Sequence, residues 1–362
     1  MFKYFFNVPT AIKQLFYSLA TRYISPIFFA VSKPRSGNAL YNQIAIIYHR
    51  NYQVYLYGLE GLHLFDTHRY ARIYSSLVRQ RVVRPNDVFV PNPVSDKDIL
   101  RIHSDDFLNS LSDPKAIAQY LEAPWIEFFN KQWLENLILP FRYATGGTIL
   151  AAELALTYGL AINMGGGFHH AKPQNGEGFC IFADIPIAIK KLQSDGKIQK
   201  TLIVDLDVHQ GNGTVVCLSD DLESFTFSMH QRHIYPTPKE ISDFDIELDA
   251  GTDDTLYMQL LSEHLPRLFN LVSPDMVFYI AGCDTLFDDP LASLALTQEG
   301  IIKRDFMVFQ ECKQRHIPLV ITLGGGYGPS APEVQTRSIQ HIIEYIKQEN
   351  MKTPHLIEYK NL

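Results

Sequence analysis

Residues 204–213 read VDLDVHQGNG and close an apolar run that begins with TLI at 201. The run has the uncharged, β-branched character of a strand buried on both faces. Asp205, Asp207 and His209 are spaced two apart in it, and side chains two apart on a strand share a face. Two carboxylates and an imidazole aimed from a buried strand at one point are costly unless a cation neutralises them. A hydrogen-bonded pair at a strand end is the rival reading, and for one DxH alone it is the stronger. The surrounding sequence shifts the balance.

Outward from this run the chain alternates strands and helices. Strand-like runs lie at 44–49, 160–165, 201–207, 224–230, 276–282 and 317–324, with helical patterns near 146–158, 184–194, 255–271, 299–315 and 333–348. Gly159 is placed to stop the first of these helices. Near-continuous apolar strands separated by helices predict an α/β fold: one domain with a mostly parallel central sheet and helices on both faces. No internal repeat or low-complexity tract interrupts it. The expected organisation is an N-terminal extension over 1–38, a catalytic domain over 39–350 and a tail over 351–362.

In open α/β sheets ligands bind at the carboxyl ends of the strands. The run at 160–165 leads to His169 and His170, that at 201–207 to Asp207, His209 and Asn212, that at 276–282 to Asp284, and that at 317–324 to Tyr327. Asp207, His209 and Asp284 make a three-ligand oxygen and nitrogen set suited to a catalytic zinc, with positions left for water and substrate. A second ion would need another bridging carboxylate, and the residue two past His209 is Gly211, so one metal is expected.

His169 and His170 are adjacent and cannot do the same job with the same geometry. Each needs a partner for its far nitrogen, and Asp205 and Asn212 are available. A carboxylate partner holds an imidazole cationic more strongly than an amide does, which divides electrostatic stabiliser from proton shuttle. Which histidine takes which partner stays open at this level. Tyr327 follows three glycines and can bring a phenol close to other backbone, as an oxyanion donor or as a packing residue. The two GGG runs lack the Lys and Ser/Thr of a phosphate loop.

Composition bounds the rest. The 362 residues are 46% hydrophobic and 20% charged, with a formal net charge of −7, which argues against a nucleic-acid-binding body. Four scattered cysteines and no CxxC pair fit a reducing compartment, so a cytoplasmic or otherwise intracellular setting is expected. No uncharged apolar run reaches the length of a transmembrane span, and Lys13 and Arg22 interrupt what would be a signal sequence. The first acid is Glu60, and Ile12, Leu15, Phe16, Leu19 and Tyr23 fall at helical spacing. That stripe predicts an amphipathic helix, packed on its own body or making peripheral membrane or partner contact.

GGGFHHAKPQNGEGFC (165–180), VDLDVHQGNG (204–213), AGCDTLFDDP (281–290) and LGGGYG (323–328), in that order, resemble the zinc-dependent histone deacetylase family of the arginase–deacetylase fold. The resemblance covers about residues 40–345, including IHSDDFLNSL and TGGTILAAELAL. HQGNG with RHIYP soon after is similar to the class IV branch, whereas class I usually has Asp at the position of Asn212. The resemblance implies zinc on Asp207, His209 and Asp284. It implies His170 as main general base and acid, paired with Asn212, and His169 as electrostatic helper, paired with Asp205. Tyr327 matches the transition-state tyrosine, and Gly178 and Phe179 match the wall of an acyl-lysine tunnel. Tyr235 is the nearest candidate for the second wall. A structural potassium on Asp205, Asp207, His209, Ser228 and Met229 is also implied. The acidic rim residue of class I enzymes finds no clear match around 120–140.

The function implied is removal of acetyl or, by preference, long-chain fatty acyl groups from the ε-amine of lysine in proteins. An acetylpolyamine amidohydrolase is the enzymatic alternative, and a non-catalytic acyl-lysine-binding or membrane-associated scaffold is the alternative of another class. Glycines 165–167 and 324–326 are read either as leaving room for a long acyl channel beyond the zinc or as serving only tight turns.

Overall fold

Four of the apolar runs are buried from end to end: β3 (Gly159–Asn163), β4 (Thr201–Asp205), β7 (Met276–Ile280) and β8 (Leu319–Thr322). The computed structural model describes residues 40–352, so the N-terminal helix reading and the last ten residues lie outside the described part. These strands join β1 (Gln43–Ile47), β2 (Val88–Phe89), β5 (Ser224–Gln231) and β6 (Phe244–Leu248) in one parallel sheet of order β2-β1-β3-β8-β7-β4-β5-β6. Buried strands with no charged residue before their ends can only sit in the middle of a sheet covered on both sides. β2 and β6 are partly exposed edge strands, which is why neither carries an apolar signal strong enough to read.

The four site-bearing strands, β3, β8, β7 and β4, are consecutive neighbours at the centre of this order. Register fixes their ends side by side: Asp205 lies opposite Ile280 of β7 and Ser228 of β5, and Thr322 lies opposite both Asn163 and Ile280.

Among the described residues ten α-helices flank the sheet: α1 (Arg69–Arg79), three short ones, α2 (Asp96–Ile99), α3 (Asp105–Ser110) and α4 (Pro114–Tyr120), then α5 (Lys131–Tyr158), α6 (Asp184–Ser194), α7 (Asn212–Leu218), α8 (Asp254–Val272), α9 (Gln298–Arg315) and α10 (Ala331–Lys352). α5 is twice as long as the expected 146–158. Asn130 caps it by accepting a hydrogen bond from Trp133 N at 3.1 Å, and Gly159, at φ +81°, ends it. Pro140, inside the helix, disguises its first half. Gly146 and Gly147 are contact points: an added Cβ would stand 1.9 Å from Asn92 O and 1.9 Å from the Tyr52 hydroxyl, respectively. α10 runs through Lys352, two residues past the expected domain end at 350. No described helix is long and apolar enough to cross a membrane.

One buried ion pair ties helix to site. Arg304 on α9 is fully buried and donates from Nε to Asp305 (2.9 Å) and from Nη1 to Leu206 O (3.1 Å) and Thr285 Oγ1 (3.0 Å). Asp305 in turn accepts from Ser338 Oγ (2.6 Å) and from the Tyr279 hydroxyl. Leu206 and Thr285 sit next to Asp207 and Asp284, so the guanidinium fixes both loops from below. Removing one member of such a pair leaves an uncompensated buried charge. Arg304→Met is expected to destabilise the fold by about 3–5 kcal/mol, read from the urea unfolding midpoint. An unchanged midpoint would mean that the pair contributes no net stability.

Candidate metal centre and active site

The strand of the opening stretch ends at Asp205, two residues earlier than the sequence pattern predicts. Strand alternation therefore aims only Asp205. Asp207 and His209 lie on the turn beyond it, and carboxylate–backbone bonds orient them. Asp205 Oδ1 accepts from Asp207 N (3.1 Å), Asp207 Oδ1 from His209 N (3.1 Å) and Asp284 Oδ1 from Val208 N (2.9 Å). Gly325 N, arriving from β8, donates to Asp207 Oδ2 at 2.7 Å.

The result is a convergence of three ligand atoms. His209 Nδ1 stands 3.2 Å from Asp207 Oδ1 and 3.1 Å from Asp284 Oδ2, and all three side chains are buried. Burial, and then the Asp207 charge, push the Asp284 carboxyl up to about 7. A tetrahedral ion with bonds of about 2.0–2.1 Å places its ligand atoms roughly 3.3 Å apart, close to the spacing found. Two buried carboxylates and one imidazole at that spacing are a donor set that fits a divalent cation. It is the single such cluster among the described residues.

The loop after β3 brings the two histidines. Gly166 and Gly167 take positive φ, and Asp184 at the head of α6 accepts from Gly167 N (2.9 Å), Phe168 N (2.8 Å) and Thr148 Oγ1 (2.6 Å). Sequence reasoning passed over Asp184, whose only signal is an acid at a helix start. His169 Nδ1 pairs with Asp205 Oδ2 at 2.7 Å and His170 Nδ1 with Asn212 Oδ1 at 2.7 Å, which closes the pairing left open by the residues alone. Burial disfavours the His169 cation, but Asp205 and Asp207 carry its pKa up to about 9. His170, with only an amide behind it, is held well below the usual imidazole value by burial and then by the charges of His169 and His209. One imidazole is thus charged and its neighbour neutral.

Tyr327 comes from the loop after β8. Arg69, fully buried on α1, donates to Gly326 O at 2.6 Å and to Gly324 O, and so holds that loop. Arg69 is a second residue that sequence reasoning missed. Burial, and then the charges of Asp284 and Asp207, hold the Tyr327 phenol well above its usual value, so it stays a proton donor. Its ring lies 6.4 Å from that of His209 and 6.0 Å from that of Phe179. Tyr235 stands edge-on to His170 at 4.9 Å and donates to Glu177 Oε1 at 2.8 Å. Ser228 and Met229 are buried on β5 beside Asp205.

One expectation needs correction. The glycines near the site open no channel. A Cβ on Gly166 would meet Asp184 Oδ2 at 2.4 Å, one on Gly167 would meet Gly324 N at 2.8 Å, and one on Gly325 would meet Asp284 Oδ2 at 2.2 Å. They permit close packing, and the cavity beside them measures about 20 Å³. A larger cavity of about 600 Å³ shares its Phe65 and Phe179 walls and extends to Leu121, Trp125, Leu137 and Phe141. Glu122, at φ +53°, lies within electrostatic reach of His63, Glu177 and His209.

Comparison with known proteins agrees with this geometry. Residues 63–344 match the histone deacetylase domain family. Histone deacetylase 2 of Arabidopsis thaliana is 37% identical over 305 residues, spanning 83% of this chain and 79% of that protein. The acetoin utilization protein AcuC of Bacillus subtilis is 26% identical over 269 residues, spanning 69% and 68%. The crystal structure of the HDA15 HD domain shares the fold with a TM-score of 0.69 at 19% identity, covering 84% of this chain and 88% of that one. With a family match over most of its length and a relative above 30% identity, the chain belongs to the histone deacetylase domain family of deacetylase hydrolases.

Proposed function

We propose that this protein is a zinc-dependent hydrolase that removes acyl groups from the ε-amine of lysine in a protein or peptide. The observation that carries the reading is the convergence of the buried Asp207, His209 and Asp284, together with His169 backed by Asp205, His170 backed by Asn212, and the Tyr327 ring 6.4 Å from that of His209. Asp207, His209 and Asp284 would hold the zinc, which supplies Lewis acidity toward an amide carbonyl and toward water.

The chain's own groups do the rest. With Nδ1 committed to Asn212, His170 has Nε2 free to take a proton from the attacking water and to return it to the leaving ε-amine. His169, kept cationic by Asp205, stabilises the negative charge that develops beside it. The Tyr327 hydroxyl donates to the oxyanion. Gly178 and Phe179 flank the lysine stem with Tyr235, and Glu122 offers a carboxylate to substrate backbone N–H groups at the rim. Asp205, Asp207, His209, Ser228 and Met229 would hold a structural potassium through side-chain and backbone oxygens, supported by the Asp205–Ser228 register across β4 and β5.

Metal analysis of the purified protein is expected to give about one zinc per chain, as a three-ligand catalytic site requires. Asp207→Ala, His209→Ala and Asp284→Ala should each lose both zinc and activity. Two tightly bound transition-metal ions per chain would favour a binuclear site instead.

Tyr327→Phe removes one oxyanion donor and keeps the ring, so kcat should fall by about 10²-fold or more while a zinc-chelating inhibitor still binds. Full turnover by this variant would make Tyr327 a packing residue.

The reading extends to acyl length. The 600 Å³ cavity beyond Phe65 and Phe179 falls in the size range of small-molecule pockets, and much of its wall is apolar. Each methylene moved into it from water gains about 0.8 kcal/mol. A myristoyl-lysine peptide should therefore show higher kcat/KM than its acetyl counterpart. Equal or better use of acetyl would defeat the long-chain preference and leave the deacylase reading standing.

A further inference from the structure

Glu177 precedes the tunnel glycine and contacts none of the proposed metal ligands. Its Oε1 accepts from Asn212 Nδ2 at 2.8 Å and from the Tyr235 hydroxyl at 2.8 Å, and its Oε2 pairs with Lys172 Nζ at 2.9 Å. Burial works against its charge, but the hydrogen bonds from Lys172, Tyr235 and Asn212 outweigh it and hold the carboxyl below its usual range. The turn that carries it is closed by Glu177 N to Cys180 O at 3.0 Å and Cys180 N to Glu177 O at 2.9 Å. Gly178, at φ +53°, lets this turn pass under His170; a Cβ there would stand 2.5 Å from His170 Cδ2.

We propose that Glu177 is a positioning residue that sets the tautomer of His170 by fixing the orientation of the Asn212 amide. An ionised carboxylate only accepts hydrogen bonds. Asn212 must therefore turn its NH2 toward Glu177, which leaves its oxygen, also only an acceptor, facing His170 Nδ1 at 2.7 Å. His170 must then carry its proton on Nδ1 and keep the Nε2 lone pair for the reaction. Without the carboxylate nothing here prevents the amide from turning over. Its NH2 would then face Nδ1, the proton would move to Nε2, and the imidazole could no longer accept a proton at Nε2, the nitrogen left for the reaction. An asparagine behind a histidine is ambiguous in a way that an aspartate is not, and Glu177 removes the ambiguity.

The proposal rests on the reading of His170 as general base, so its test joins kinetics to a readout independent of turnover. In zinc-loaded protein, long-range 15N–1H spectra should find His170 protonated at Nδ1, and E177Q should shift it wholly or partly to Nε2. E177Q should lower kcat by about 10–100-fold, the usual effect of removing an outer partner, with KM little changed. In an Asn212→Asp background there is no amide to orient, so adding E177Q should cost little or nothing further. Glu177→Ala carries the same expectations if E177Q does not fold. The proposal is overturned by an unchanged tautomer, by a change in KM alone, which would leave Glu177 a brace for Tyr235, or by equal kcat losses in the two backgrounds. A chain that does not deacylate would overturn the function proposed above, while the spectra would still report on the tautomer.

Discussion

Two carboxylates buried at the ends of neighbouring strands are the constraint around which this molecule is arranged. Asp207 and Asp284 each give one oxygen to a backbone N–H, from Gly325 and Val208, and turn the other toward His209 Nδ1. A bare buried carboxylate is costly, and two side by side are worse. The surrounding features answer that cost. Glycines clear the space: a Cβ on Gly282 would lie 2.2 Å from Asp207 Oδ2, and one on Gly325 the same distance from Asp284 Oδ2. Arg304 holds the loops of Asp207 and Asp284 through Leu206 O and Thr285 Oγ1, and Arg69 holds the loop of Tyr327 through Gly326 O. The remaining negative charge fits a divalent cation.

Division of labour between the two histidines follows from partners rather than from position. His169 and His170 share one loop and near-complete burial, with ring centroids 4.1 Å apart. One is backed by a carboxylate and held charged, which makes it harder for the other to take a proton. The other is backed by an amide and held neutral. Neutrality at rest is what a base needs if it is to accept a proton when a substrate is present.

Space is distributed unevenly around this centre. The volume beside His169, His170 and Tyr327 is about 20 Å³, whereas about 600 Å³ lies beyond Phe65 and Phe179. Small residues near a site read naturally as room, but here they let backbone and carboxylates approach. Glycine removes a side chain from its own position, and a close-packed interior then fills that position with a neighbour.

The sequence by itself determined the α/β class, the four chain segments that carry the polar residues, and Asp207, His209, Asp284, the two histidines and Tyr327 as the residues of interest. Each of these rests on apolar periodicity or on a cluster of groups too polar for where the pattern puts it, and both are local properties. It missed β2 and β6, whose short, partly exposed edges carry no such signal, and the first half of α5, where Pro140 mimics a break. Only the tertiary structure decided the strand order that makes β3, β8, β7 and β4 neighbours. It also ended β4 at Asp205, and it gave Asp205 to His169 and Asn212 to His170. Arg69, Asp184 and Glu177 enter by the same route, because hydrogen bonds between residues far apart in the chain depend on which strand ends meet, and no local pattern encodes that.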